Sequence, residues 1–243
     1  MKISLVLGSR ARPLNMVRLV ETAIATADNP DDVDFVFYID YGDVTGSCQA
    51  EELKRQRKGQ VNVVHGPRIF MSQMADECIP LAKGEIYMAA GDDIVFVTKG
   101  WDTQVVEAFK KYPDKIVMVY GDDGTGGAYV TDSGLDKFGT HFFLHKNWVD
   151  AVGYFNPPIY VKDFVDTHIN TVADVIKRRC FIPSLIIEHH HYTNGKAPFD
   201  ETYALRLDEF HKLNPQKVFL NEGAALRTKE IKKLENYIAE FKT

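Results

Sequence analysis

The chain has 243 residues, long enough to bury one good hydrophobic core, and 45% hydrophobic with 26% charged residues is an ordinary globular composition that excludes disordered and fibrous classes. Lys and Arg number 29 against 34 Asp and Glu, a net charge of -5, which argues against general nucleic-acid binding.

Ile3, Leu5, Val6 and Leu7 form an apolar run of strand length that breaks at Gly8-Ser9-Arg10-Ala11-Arg12-Pro13. The run is too short for a signal-peptide core, and no stretch approaches the length of a membrane span, so the expectation is a soluble, cytoplasmic protein. Pro13 suits a first helical turn, and Val17, Val20, Ile24 and Ala27 then recur at helical spacing. Phe35-Val36-Phe37-Tyr38-Ile39 reads as a second strand, ending at Asp40-Tyr41-Gly42-Asp43. A third, Val61-Asn62-Val63-Val64, is followed by His65-Gly66-Pro67-Arg68. Met71, Met74, Ala75, Cys78 and Ala82 mark another helix, which Pro80 is placed to cut short.

The next strand ends on Gly91-Asp92-Asp93, after the apolar stretch Ile86-Tyr87-Met88-Ala89-Ala90. Strands alternating with helices predict an α/β unit with a largely parallel sheet. In such sheets ligands bind in the crevice outside the carboxyl ends of the strands. That places Arg10, Arg12, Asp40, Asp43, Arg68, Asp92 and Asp93 along one sheet edge. Paired carboxylates there suit Mg²⁺ or Mn²⁺, which are held by one or two carboxylates together with substrate phosphates. Taken alone, Gly-Asp-Asp is also an ordinary turn sequence.

A helix through Val105, Ala108, Phe109 and Tyr112 leads to a strand over residues 116–120, which ends in a second Gly-Asp-Asp at 121–123. Asp122 and Asp123 therefore compete for the same metal role. Residues 121–139 hold six glycines and no periodicity, which reads as a mobile, function-bearing loop. A helix is expected over 163–178, with Asp163 and Asp166 in or near its first turn, where capping and the helix dipole favour Asp in any case. The apolar strand 181–187 runs into Glu188-His189-His190-His191; strand alternation turns His189 and His191 to one side and His190 to the other. Imidazole joined to carboxylates is an ordinary ligand set for Mn²⁺. Cys48, Cys78 and Cys180 are widely spaced and form no metal-ligand pattern, so free or buried thiols are expected. Ile231, Leu234, Ile238 and Phe241 mark a closing amphipathic helix.

In this order the pieces resemble the nucleotide-sugar-dependent glycosyltransferases of the GT-A fold, especially family 2. The matching residues are Ser9-Arg10-Ala11-Arg12-Pro13, Asp40, Ala82-Lys83-Gly84-Glu85-Ile86 with Asp92-Asp93, Gly100-Trp101-Asp102 and Gly153-Tyr154-Phe155. They continue through the Asp163/Asp166 region to Glu188-His189-His190-His191, Gly195-Lys196 and Asp200-Glu201-Thr202-Tyr203. The resemblance implies an α/β GT-A (Rossmann-like) domain over 1–203, with a mostly parallel central sheet flanked by helices. Residues 204–243 are left as a C-terminal helical extension packed on that domain.

The resemblance also implies roles. Asp93 would match the last carboxylate of the DXD motif and bind Mn²⁺ or Mg²⁺ at the donor diphosphate, with Asp92 facing the ribose and Asp40 the nucleobase. Ser9, Arg10, Arg12 and Arg68 would line the nucleotide cleft. His191, followed by His189, would complete the metal site. Inverting transfer needs a base for the acceptor hydroxyl; Asp166 is the first choice and Asp163 the second. Two departures stand out: the first acidic residue of the triplet is replaced by Gly91, and Lys162 stands where a glutamate commonly precedes the catalytic-region aspartate. The expected donor is a nucleoside diphosphate sugar, UDP-sugars first, with the acceptor left open. The competing readings are a nucleotidyltransferase, which would ordinarily carry a Gly-rich basic loop after the first strand, a metal-dependent hydrolase, and a nucleotide-sugar-binding module without turnover.

Overall fold

The computed structural model describes residues 1–125, 128–131 and 134–241. The chain opens with β1 (Ile3–Ser9) and α1 (Pro13–Thr26), whose first position is the proline. The elements β2 (Val33–Asp40), α2 (Val44–Gln56) and β3 (Val61–Gly66) follow. Helix α3 (Met71–Cys78) stops where the sequence requires, and Ile79–Leu81 continue as a single 3₁₀ turn because Pro80 has no N–H to give an α-helix. Then come β4 (Ile86–Ala89), β5 (Ile94–Phe96), α4 (Trp101–Lys110) and β6 (Met118–Asp122).

The glycine-rich stretch departs from the expected loop. It carries an antiparallel hairpin of β7 (Ala128–Thr131) and β8 (Gly134–Lys137), while residues 126, 127, 132 and 133 lie outside those described. The rest is β9 (Phe142–His145), α5 (Lys146–Val152), α6 (Val165–Val175), β10 (Arg179–His189), α7 (Glu201–Leu213), α8 (Pro215–Leu220) and α9 (Glu222–Glu240).

Eight strands form one sheet in the order β3-β2-β1-β4-β9-β6-β10-β5. The pairs β3–β2, β2–β1, β1–β4 and β6–β10 are parallel, whereas β9 runs antiparallel to both β4 and β6, and β5 antiparallel to β10. Strands buried on both faces read as unbroken apolar runs, and alternate side chains feed two cores. Leu5, Leu7, Phe35 and Phe37 pack with Met16, Leu19, Trp101 and Phe109 on one side. Val6, Val36 and Tyr38 pack with Trp148, Ile169, Leu234 and Ile238 on the other.

Burial of Leu234 and Ile238 stabilises the docking of α9 by roughly 1.5–3 kcal/mol per side chain. A buried polar network fixes its register: His168 Nε2 lies 2.8 Å from Glu230, Tyr160 bonds His168 Nδ1 at 2.9 Å, and the Tyr154 hydroxyl donates to Glu230. Among the described residues no helix is long and apolar enough to cross a membrane.

Candidate functional site

Parallel pairing brings the carboxyl ends of β1, β2, β3 and β4 to one edge of the sheet, carrying Ser9, Asp40, Gly66 and the Asp92-Asp93 turn with them. The ends of β6 and β10 arrive at the same edge. Because β9 is reversed, it is its amino end that lies there, and His141 precedes it directly. The edge is thus built by topology from segments far apart in sequence.

At its centre stand the two carboxylates, both at most 7% exposed. The Ser9 hydroxyl donates to Asp92 at 2.7 Å, and Arg12 reaches Asp92 at 3.2 Å and Asp93 at 3.7 Å. The same guanidinium makes a two-pronged pair with Asp200 at 2.7 and 2.9 Å and lies 4.1 Å above the Tyr203 ring. The Tyr203 hydroxyl donates to Asp93 at 3.0 Å. The start of α7 therefore folds back over the acidic pair.

Histidines close the other side. His189 Nε2 lies 3.4 Å from Asp93, and its ring meets His141 edge-on at 4.8 Å and His191 at 5.2 Å. His190 turns the other way, to Glu188 at 3.0 Å, as strand alternation predicts. His191 directs Nδ1 to the Thr193 hydroxyl at 2.8 Å and its ring to Tyr203 at 4.6 Å. Gly91 keeps the centre open: a Cβ there would stand 2.6 Å from Asp93 Oδ1 and 3.4 Å from His141 Cε1.

The charges are unequal in character. Burial, with the neighbouring Asp93 charge, pushes Asp92 up to about 6 despite Arg12 and Ser9. Burial also acts on Asp93, but the His189 hydrogen bond, the His189 and His141 charges and the Tyr203 hydroxyl outweigh it and hold Asp93 well below the usual range. Burial and His189 pull His141 down to about 4. Three carboxylates, Asp92, Asp93 and Asp200, face one guanidinium, a balance that suits a divalent cation. Among the described residues no three His, Cys, Asp or Glu already converge on a metal. Asp93 and His189 nevertheless offer an oxygen and a nitrogen of the kinds that Mn²⁺ accepts.

The other expected residues divide. Arg10 pairs with Asp40 at 2.6 Å, and Asp40 Oδ1 is buried with no hydrogen-bond partner among the described residues. Ala11, at φ 54, separates the two arginines, and Asp43 holds it by accepting its N–H at 2.8 Å. Arg68 is exposed beyond β3. Asp163 and Asp166 flank Phe164, which has φ 74 and stacks on Phe219 of α8 at 5.0 Å. Asp166 Oδ1 accepts the Thr167 N–H at 2.7 Å, and Asn170 ties α6 to Gly139, two residues before His141.

The competing pair is engaged by its own surroundings: Asp123 accepts from Thr125 and Thr140, and Asp122 from Gly124, with Lys137 at 3.4 Å. His141 was not indicated by the sequence, since it precedes a strand instead of ending one. Asp200 and Tyr203 stood in the pattern of the resemblance without a role.

No protein-family model matches the chain, and no curated protein does. Solved structures do. The mannosyltransferase PcManGT from Pyrobaculum calidifontis, in complex with GDP-Man and Mn²⁺, aligns over 98% of this chain and 74% of its own at 12% identity and a TM-score of 0.60. S. aureus TarS 1-349 in complex with UDP aligns over 77% of this chain at 11% identity and a TM-score of 0.55, and this chain spans 59% of its length. The same TarS fragment with UDP-GlcNAc covers 84% of this chain and 63% of its own, at 11% identity and 0.56. At such identities the likeness is one of architecture, and the chain has the GT-A-like fold of nucleotide-sugar glycosyltransferases.

Proposed function

We propose that the protein is a metal-dependent, inverting glycosyltransferase that moves a sugar from a nucleoside diphosphate sugar to an acceptor hydroxyl. The observation that carries this reading is the meeting of Asp93, His189 and Arg12 at the carboxyl edge of the sheet. Structural neighbours in complex with UDP, with UDP-GlcNAc, and with GDP-Man and Mn²⁺ support the donor class.

In this reading Asp93 and His189 would hold Mn²⁺ or Mg²⁺, with the His191 ring packed beside them as the alternative imidazole, and the ion would supply charge stabilisation for the departing diphosphate. Arg12, whose fork is held by Asp200 while Nη1 reaches Asp92, supplies positive charge for phosphate oxygens. Asp40 presents its unpartnered Oδ1 to a ring N–H, which uracil and guanine both carry, and Arg10 braces it. Ser9 fixes Asp92 toward the ribose, and Arg68 closes the outer cleft. UDP-sugars are the first donors to try.

Asp166 is the proposed base and Asp163 the alternative, both carried on the segment that Phe164 and Phe219 brace. Asp166→Asn is expected to keep metal-dependent nucleotide binding while lowering transfer by about 10²–10⁴-fold, as loss of a positioned base does. Single-turnover transfer and calorimetric binding on the same preparations test it. Full transfer in Asp166→Asn together with its loss in Asp163→Asn would move the role to Asp163.

A further inference from the structure

One histidine of the site is unexplained by these roles. His141 points Nδ1 at the Ala89 carbonyl oxygen, 3.4 Å away. A carbonyl only accepts, so Nδ1 carries the proton and Nε2 bears the lone pair. That Nε2 is buried and has no hydrogen-bond partner among the described residues. A buried acceptor left without a donor or cation is costly, and such groups call for a specific explanation. An imidazole whose far N–H is tied to a backbone carbonyl while its other nitrogen is bare has the arrangement of a metal-ligating histidine.

Its surroundings agree. The ring packs edge-on against His189 at 4.8 Å, and His189 touches Asp93 at 3.4 Å. His141 Cε1 and Asp93 Oδ1 both lie within 3.4 Å of the point where a Cβ on Gly91 would stand, so glycine there leaves their approach unblocked. As they stand, the three side chains do not converge on one point.

We propose that His141 is a direct ligand of the divalent cation through Nε2, completing a set of Asp93, His189 and His141. This rests on the metal-dependent reading above and adds to it a residue delivered by the reversed strand β9. It makes the metal site nitrogen-rich, which favours Mn²⁺ over Mg²⁺, because imidazole suits transition metals and Mg²⁺ prefers oxygen.

The test uses the full chain with Mn²⁺ and either UDP or GDP. Pulsed electron paramagnetic resonance of bound Mn²⁺ is expected to show couplings from two imidazole nitrogens in the unaltered protein and from one in His141→Ala. Calorimetry is expected to give Mn²⁺ binding at least about 10-fold weaker in His141→Ala, no less than the loss seen for a residue that merely supports a ligand. The count in the unaltered protein stands even where the variant fails to fold; His141→Gln provides a second variant of similar bulk. Mn²⁺ binding by the unaltered protein with a single nitrogen coupling, or equal affinity in folded His141→Ala, would overturn the inference and leave the transferase reading standing. No Mn²⁺ binding with either nucleotide would overturn both.

Discussion

The tripeptide Gly-Asp-Asp occurs twice, at 91–93 just beyond β4 and at 121–123 where β6 ends, and both strands run to the same sheet edge. Among the described residues, the carboxylates of only one copy gather remote side chains. Asp92 and Asp93 are met by Ser9, Arg12, His189 and Tyr203, at sequence separations of up to 110 residues. The carboxylates of Asp122 and Asp123 are met by Gly124, Thr125, Lys137 and Thr140, all within 17 residues, although the Asp123 backbone carbonyl accepts the His189 N–H at 2.9 Å. A carboxylate satisfied by its own turn is part of that turn's structure. One held by a distant guanidinium and imidazole has been assembled by the fold, and on it the proposed cation site rests. Between the two copies lies β9, whose reversal supplies His141 to the first.

The largest expected effect follows from that difference. Asp93→Ala should abolish metal-dependent nucleotide binding, a loss of roughly 100-fold or more, given that even supporting residues cost 10–100-fold. Asp123→Ala should leave the same calorimetric affinity within about 3-fold. The reverse pattern would transfer the metal to the second pair. Asp123→Ala should instead appear in stability, because it strands the Thr125 and Thr140 groups that donate to it. A loss of about 1–3 kcal/mol by denaturant unfolding is expected.

The smallest effect sharpens the contrast through pH. Asp92 is raised from 3.8 to about 6 by burial and Asp93, so the folded chain keeps a proton that the unfolded chain releases. Its contribution to stability is complete below about pH 4 and is lost as pH rises through about 6. Asp123, lowered by the Thr125 and Thr140 hydrogen bonds against burial, has the opposite sign: its contribution is present above 3.8 and falls away on acidification. Asp92→Asn should therefore stabilise the protein at pH 8 in chelator by about 1 kcal/mol, or roughly 2–4 °C in Tm, and the gain should vanish at pH 4. Thermal melts at the two pH values check it; an equal shift at both would mean that Asp92 is not strained by charge.

Much of the first half was legible because a parallel strand buried on both faces announces itself as an apolar run, and its carboxyl end is marked by the polar residue that follows. The places of Ser9, Asp40 and Asp92 at the sheet edge were read that way. Helix α2 was not, since its buried side is only Gly46, Ala50 and Leu53 in a strongly polar segment. The hairpin β7–β8 was hidden by glycines that read as loop.

His141 was invisible for a topological reason: nothing local states that Phe142–His145 inserts backwards between β4 and β6, and only that reversal brings a residue before a strand to the carboxyl edge. Asp200 and Tyr203 meet Arg12 and Asp93 through contacts 188 and 110 residues apart, which a single sequence does not display. The histidine run was legible as far as its alternation, while the nearer approach of His189 to Asp93 depended on where β10 ends.

The most direct test of the central claim is a calorimetric titration of the protein with UDP and with GDP, each with and without Mn²⁺. The account predicts binding of one nucleotide that requires the metal. Binding of neither, or binding that Mn²⁺ leaves unchanged, would contradict it.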